Sequence, residues 1–158
     1  MASVIRGSDN LDSATAGAGG TNSFIAKLSG TQSTSINTWT KINMSSEAVD
    51  VGNNYANSRY TVPVSGVYFV SISVQVPSMT AVGDTAYIRV FVNGSNSGVS
   101  DTTETQTGSA TGGNLLQCQM VGLMSLTAGQ YIEAYIYQTG GTRVLQIVGS
   151  SFAGFRLS

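Results

Sequence analysis

The stretch Tyr60–Val76, YTVPVSGVYFVSISVQV, decides the fold that we predict for this chain. Its second half alternates along ten residues, Val67–Val76, as a β-strand with one buried face does. A Ser65-Gly66 turn precedes this strand, and Pro77 ends it. One face carries Tyr68, Val70, Ile72, Val74 and Val76, and the other carries Phe69, Ser71, Ser73 and Gln75.

Further short segments with the pattern of β-strands occur on both sides of this stretch. Gly and Asn turn signals separate them, and Asn93-Gly94 is a strong hairpin signal. The polar segment 95–113 has room for one exposed edge strand. About eight to ten short strands without helical periodicity predict an all-β sandwich or barrel. The other predicted strands are 24–28, 36–44, 55–64, 87–92, 115–126, 131–138, 144–148 and 151–157.

The composition limits the classes of partner. The 158 residues suffice for one domain with a packed core, since 41% of them are hydrophobic. Only 9% are charged and the formal net charge is −1, whereas about 25% charged residues is usual. Nucleic-acid binding needs a basic surplus, and a membrane helix needs roughly 18 consecutive apolar residues. We therefore predict neither nucleic acid nor membrane as a partner.

The residue types needed for catalysis are scarce. Without any histidine, Ser-His and Cys-His pairs are impossible and a zinc site lacks ligands. The single cysteine, Cys118, cannot form an intramolecular disulfide and is interpreted as a small buried apolar residue. We predict a protein that is not an enzyme, with no catalytic residues, metal site or cofactor. The candidates for a paired-carboxylate hydrolase are Asp84, Asp101, Glu104 and Glu133, and no pattern pairs them. The candidates for a Ca²⁺ site are Asp84, Asp101 and Glu104 with loop carbonyls, and no regular ligand spacing supports it.

Residues 1–22 differ from the rest of the chain. They show no apolar periodicity, and Gly19-Gly20 forms a flexible joint. We predict an extended N-terminal arm for attachment over 1–22, followed by a single domain over 23–158. Because the start lacks the apolar core of a secretory signal, we expect synthesis in a host cytoplasm. The predicted anchors of the arm are Val4, Ile5 and Leu11.

Three segments together resemble the C1q/TNF-like jelly-roll family. Tyr60–Val70 resembles its signature hairpin, with an aromatic, a proline and a Gly-x-Tyr turn before an alternating strand. Leu126–Ile132 resembles its leucine, glycine and hydrophobic-strand segment. Ser151–Leu157, SFAGFRL, resembles its C-terminal Ser-x-Phe-x-Gly-Phe-x-Leu strand. The resemblance covers about residues 24–158 and implies an antiparallel jelly-roll sandwich that forms a homotrimer about a three-fold axis.

The form of the resemblance suggests a biological setting. With no collagen stalk and no disulfide, the chain resembles the C1q-like domains of bacteriophage structural proteins. We therefore expect a non-enzymatic trimer on the virion surface, most simply a capsid decoration or cement protein. Its arm would bind the major capsid protein or other virion subunits.

Two other functions stay open at this stage. One is a receptor-binding head of a phage tail fibre, which would contact a host surface receptor through loops 77–86, 94–113 and 138–143. These loops lack aromatic residues, which disfavours glycan recognition there. The other is a bacterial C1q-like protein of a spore or cell surface.

Periodicity also predicts a self-association surface. Along 87–92 and 131–137, aromatic residues lie opposite the aliphatic ones. A monomeric sandwich buries only one face of each sheet, so these rings would form an exposed apolar area typical of an interface. The alternative is that loops cover them. The predicted trimer interface comprises Tyr87, Phe91, Val121, Leu123, Tyr131, Tyr135 and Tyr137.

Overall fold

The computed structural model describes residues 22–77, 85–96, 105–107, 116–141 and 143–157, and these ranges contain strands but no helix. The all-β prediction is confirmed. All of the predicted arm except Asn22 lies outside the described residues, and so do its proposed anchors Val4, Ile5 and Leu11. The strands are β1 (Ser23–Lys27), β2 (Gln32–Thr34), β3 (Thr40–Lys41), β4 (Ser46–Val51), β5 (Tyr55–Ala56), β6 (Arg59–Thr61), β7 (Gly66–Val76), β8 (Thr85–Val92), β9 (Thr105–Thr107), β10 (Leu116–Leu126), β11 (Tyr131–Gln138) and β12 (Arg143–Arg156).

The strands form two antiparallel sheets. The first has the order β10-β7-β12-β1-β4, with β2 paired to β12. The second has the order β5-β6-β11-β8-β9, with β3 paired to β11. Strands that are far apart in the sequence, such as β1 and β12, are neighbours, which is the connectivity of a jelly roll. The predicted antiparallel jelly-roll sandwich is confirmed.

The inner faces of the two sheets share one hydrophobic core. The alternation predicted for β7 is present, with Tyr68 and the four aliphatic residues of the same face at 1% exposure or less. Cys118 is fully buried in this core, as predicted. The centre is aromatic: the ring of Phe24 stacks on Tyr60 at 4.4 Å between centroids and meets Phe152 edge-on at 4.8 Å.

One turn prediction and one strand prediction are confirmed. Asn93 and Gly94 both have positive φ, 53° and 70°, and Val92 and Ser95 on either side exchange two backbone hydrogen bonds. This is a two-residue hairpin turn of the type that Asn-Gly favours. In the polar segment 95–113, β9 is the expected edge strand and pairs with β8.

Several strand predictions are wrong in their bounds. The range 55–64 contains a hairpin of β5 and β6, which turns at Asn57-Ser58 with positive φ at both residues. The ranges 144–148 and 151–157 belong to one strand, β12, whose register shifts between Gln146 and Ser151. Asn57-Ser58 lacks the glycine that marks such turns, and the irregularity between Gln146 and Ser151 adds unpaired residues that periodicity does not show.

Two further segments differ from prediction for a related reason. In 36–44 only β3 is a strand, while β4 was not predicted. Five of the six β4 residues are exposed, since this strand lies at the edge of the first sheet. An edge strand with so little burial carries no alternation for sequence analysis to detect.

Gly154, in the C-terminal SFAGFRL segment, provides a test of this packing. A Cβ at this position would lie 2.8 Å from Phe24 Cε1 and 2.9 Å from the Phe69 carbonyl oxygen. We expect Gly154→Ala to lower the free energy of unfolding by about 1–3 kcal/mol through overpacking. Urea denaturation measures this loss. The matched control is Gly30→Ala, where nothing lies within 4 Å of the added methyl group, and an equal loss in both variants would contradict the packing argument.

Candidate binding surfaces

The outer face of the second sheet carries a layer of aromatic side chains. They come from alternate positions of β8 and β11, which pair antiparallel with Tyr87 opposite Tyr137. Phe91 stacks on Tyr135 at 3.9 Å between centroids, and Tyr87 meets Tyr137 edge-on at 6.0 Å. The strand alternation predicted from the sequence therefore places these rings together.

Trp39 joins this layer from a segment far away in the sequence. The backbone N–H of Asn37 donates to the Gln138 carbonyl at 2.8 Å, and Thr40 pairs with Ile136. This pairing brings the Trp39 ring to 5.5 Å from Phe91 and 5.6 Å from Tyr137. Trp39 was not among the residues predicted for a site, and the signal that could have identified it is that it is the only tryptophan in the sequence.

Trp39, Tyr87, Arg89 and Tyr137 line an open depression of about 330 Å³, which we call the aromatic cleft. All four side chains are half-buried. The Arg89 guanidinium lies 5.2 Å from the Trp39 ring centroid, and its Nη1 donates to Asn96 Oδ1. The Tyr137 hydroxyl donates to Asn37 Oδ1 at 3.3 Å. One concave site therefore combines three aromatic rings and the Arg89 guanidinium, with the Asn37 and Asn96 amides beside it.

Beside these rings on the same sheet lies an ion cluster around the buried carboxylate of Glu133. Glu133 Oε1 accepts hydrogen bonds from Lys41 Nζ at 2.6 Å and from Arg59 Nε and Nη2 at 3.0 and 2.9 Å. The Arg59 guanidinium also lies 3.6 Å above the centre of the Tyr131 ring. Burial alone raises the pKa of the Glu133 carboxyl, but the hydrogen bonds and charges of Lys41 and Arg59 outweigh it and hold that pKa below its usual value.

Two neighbouring rows on the outer face of the first sheet are largely apolar and cross the five strands of its main path. Register places Leu123, Phe69 and Phe155 side by side, and Phe69 stacks on Phe155 at 5.1 Å. The next row aligns Val121 with Ile25 through two small residues, Ser71 and Ala153. Leu123 is 62% exposed and Val121 is 54% exposed. We call this surface the apolar face; it comprises Ile25, Val49, Val51, Phe69, Val121, Leu123 and Phe155.

Comparison with solved structures finds the same architecture. The Eiger TNF of S. frugiperda superposes with a TM-score of 0.58 at 17% identity, covering 87% of this chain and 92% of that one. The globular domain of zebrafish complement 1qA gives 0.57 at 14% identity, covering 87% and 98%. Murine APRIL gives 0.57 at 14% identity, covering 85% and 98%.

The chain has a C1q/TNF-like jelly-roll fold. The resemblance inferred from the three sequence segments is thereby confirmed for the fold. No protein-family model matches the sequence, and no curated protein is similar to it. At identities of 14–17%, the feature that this chain shares with these structures is the fold.

The predicted trimer-interface residues divide between the two outer faces of this jelly roll. Val121 and Leu123 lie on the apolar face of the first sheet. Phe91 is only 6% exposed because Trp39, from a loop, and Tyr135 cover it, so for this ring the alternative of a covering loop applies. The covering segment that contains Trp39 is distant in the sequence, which is why periodicity alone did not reveal it. The remaining tyrosines, Tyr87, Tyr131, Tyr135 and Tyr137, are half-buried on the second sheet.

Of the four candidate carboxylates, only Glu133 lies in the described part of the jelly roll. Its partners are two cations and the Tyr135 hydroxyl, and no second carboxylate lies among them, so it does not form a carboxylate pair with any described residue. Asp84, Asp101 and Glu104 lie outside the described residues, as do most of loops 77–86 and 94–113. Within the described ranges, no three metal-ligating side chains cluster, and no helix is long and apolar enough to span a membrane.

The ion cluster predicts a pH-dependent contribution to stability. Because the folded-state pKa of Glu133 is lowered, its contribution is complete above the usual carboxyl value of about 4.5 and is lost as pH falls through the folded-state pKa. We expect Glu133→Gln to lower the free energy of unfolding at pH 7 by about 1–3 kcal/mol. This deficit should shrink below pH 4.5, as measured by urea denaturation across a pH series.

The control for charge alone is Glu47→Gln, at an exposed position of β4. This variant should stay close to the parent protein at every pH. A deficit at Glu133 that does not change with pH would contradict the assignment of this carboxylate as the ionised partner of Lys41 and Arg59.

Proposed function

We propose that this chain is a non-enzymatic homotrimeric structural protein on the surface of a phage particle, and that its most direct role is capsid decoration. The observation that carries the proposal is the apolar face. Proteins with this fold typically form trimers, which is compatible with self-association of the present chain.

The apolar face supports a second and a third copy of the chain as its occupants. It is built on the regular part of the first sheet, where β7 pairs with β10 along its whole length of eleven residues. Phe155, Ile25 and Leu123 are each more than a third exposed in the single chain. Contiguous exposed apolar surface on a rigid sheet is typical of permanent interfaces between subunits.

The low charge of the chain is consistent with permanent assembly. Formal charges amount to only 9% of residues, and the cores of interfaces are depleted of charged residues. The two outermost strands of this face, β10 and β4, contribute Val121, Leu123, Val49 and Val51. A contact that reached both edges would also cover edge strands that are otherwise exposed to unwanted pairing.

In this proposal the arm 1–22 attaches each subunit to the particle. Three arms on one trimer would bind with avidity, so each contact with the major capsid protein or another virion subunit can be small. The last residue of the arm, Asn22, is joined to the first sheet, because its carbonyl accepts a hydrogen bond from the Arg156 N–H. The next residue, Ser23, pairs with Phe155 and Val51 in that sheet.

Self-association through the apolar face is testable by charge insertion. Leu123→Glu places an uncompensated carboxylate on this face in each copy, and burying it would cost several kcal/mol. We expect the parent protein to have a solution mass of three times 16.4 kDa and the variant to have the mass of one chain. Light scattering coupled to size-exclusion chromatography measures both masses.

The matched control is Val64→Glu, which inserts the same charge at a residue of 44% exposure in the turn before β7. It should leave the trimer intact. A parent protein that is monomeric at micromolar concentration, or a Leu123→Glu variant that stays trimeric, would refute self-association through this face.

Attachment by the arm is tested separately. Deleting residues 2–20 should abolish binding to particles that lack the protein, while solution mass and thermal unfolding stay those of the intact trimer. Cosedimentation with the particles measures binding. Decoration by the truncated protein at the parent level would refute the role of the arm without affecting the trimer.

A receptor-binding head of a tail fibre is the second candidate, and the aromatic cleft is the observation that favours it. The loops considered from the sequence contain no aromatic residues, but Trp39, Tyr87 and Tyr137 come together from strands and a distant segment. Competition between the purified protein and phage for adsorption to host cells distinguishes this candidate from decoration.

A further inference from the structure

The aromatic cleft has no role in the proposed assembly. It lies on the outer face of the second sheet, on the opposite side of the sandwich from the apolar face. We propose that this cleft binds an acidic saccharide, with one sugar ring on the aromatic side chains and its carboxylate on Arg89. The inference goes beyond the proposed function and stands on the geometry of the cleft alone.

The ring surfaces suit the flat apolar face of a sugar. Pyranose rings present C–H groups on one side, and aromatic faces carry partial negative charge that attracts such groups. Trp39, Tyr87 and Tyr137 are half-buried, so each is held in place while part of its surface stays open. Trp39 packs on Phe91 at 5.5 Å, and this preorganisation lowers the entropic cost of binding.

Arg89 determines the charge of the ligand. Among the described residues that line the cleft, it is the only charged one. A guanidinium is a planar fork of N–H donors that matches a carboxylate. The ion cluster on the same sheet adds one net positive charge, because a single carboxylate, Glu133, faces both Lys41 and Arg59. The described part of this surface is therefore complementary to an anion.

Amide groups at the rim suit sugar hydroxyls. Asn37 accepts a hydrogen bond from the Tyr137 hydroxyl, and Asn96 accepts one from Arg89. Both asparagine side chains are therefore held beside the cleft. Each amide offers N–H donors and a carbonyl acceptor, the groups that pair with vicinal hydroxyls. A volume of about 330 Å³ is at the lower end for ligand sites, which suits a single ring with the rest of an oligosaccharide lying along the surface.

The location of the cleft makes weak binding sufficient. In the proposed trimer, three clefts would face away from the apolar faces that bring the subunits together. Binding to a surface with repeated acidic sugars would then gain avidity from three sites. The affinity of one cleft is measurable with a small ligand, so the test does not depend on the trimer.

The test uses probes in matched acidic and neutral pairs: methyl glucuronide with methyl glucoside, and sialyllactose with lactose. NMR titration of the full chain measures each dissociation constant. We expect at least one acidic probe to bind with a Kd at or below about 1 mM, and its neutral counterpart to bind about tenfold more weakly or not at all. If no acidic probe binds, or if both members of each pair bind equally, the proposal is overturned.

Variants assign the site. Arg89→Gln keeps the rings and should remove the preference for the acidic probe, whereas Trp39→Ala should weaken that probe about tenfold or more and Trp39→Phe should recover part of the loss. Val64→Ala, outside the cleft, should bind as the parent does. Unchanged binding in Trp39→Ala and Arg89→Gln would refute the site. A Trp39→Ala variant that is folded but has lost the trimer mass would show instead that the cleft is a subunit contact.

Discussion

The pairing of β7 with its two neighbours is the interaction on which the rest of the structure depends. β7 is hydrogen-bonded to β10 along eleven residues on one side and to β12 on the other. The alternation of β7 therefore determines which residues of β10 and β12 face the core and which face outwards. Met120 and Phe152, which pair with Ile72, face the core, whereas Leu123 and Phe155, which pair with Phe69, face outwards.

The same constraint produces two outer faces of different chemistry. On the first sheet, the outward phase of β7 puts Phe69 between Leu123 and Phe155, which makes an apolar surface with no charge in that row. On the second sheet, β8 and β11 present rings, and β3 and β6 bring Lys41 and Arg59 to Glu133. One surface is suited to permanent burial against other copies of the chain, whereas the other combines rings and charges that suit a hydrated ligand.

Much of the framework was predictable because strand alternation is a local property. The range predicted for the strand at Tyr131 agrees with β11, and the predicted β7 differs from the observed strand by one residue. The failures occur where the local signal is weak or misleading. Asn57-Ser58 turns the chain without a glycine, β4 is too exposed to alternate, and the bulge at Gly149 hides the continuity of β12. For function, the absence of histidine and the scarcity of charge led to the expectation of a non-enzymatic binding protein, which stays a prediction.

By itself, the sequence determined the all-β class and the buried face of the long strands, because alternation follows from residue order within a few positions. The order of three separate segments supplied the resemblance to the jelly-roll family. Only the tertiary structure decided which outward residues share a surface. The seven predicted interface residues look equivalent in the sequence, yet two lie on the apolar face and the others lie on the second sheet. Trp39 covers Phe91 and completes the aromatic cleft although β8 lies far along the chain. Strand neighbours in a jelly roll come from distant segments, so the composition of each surface depends on sheet order and register, which no local pattern encodes.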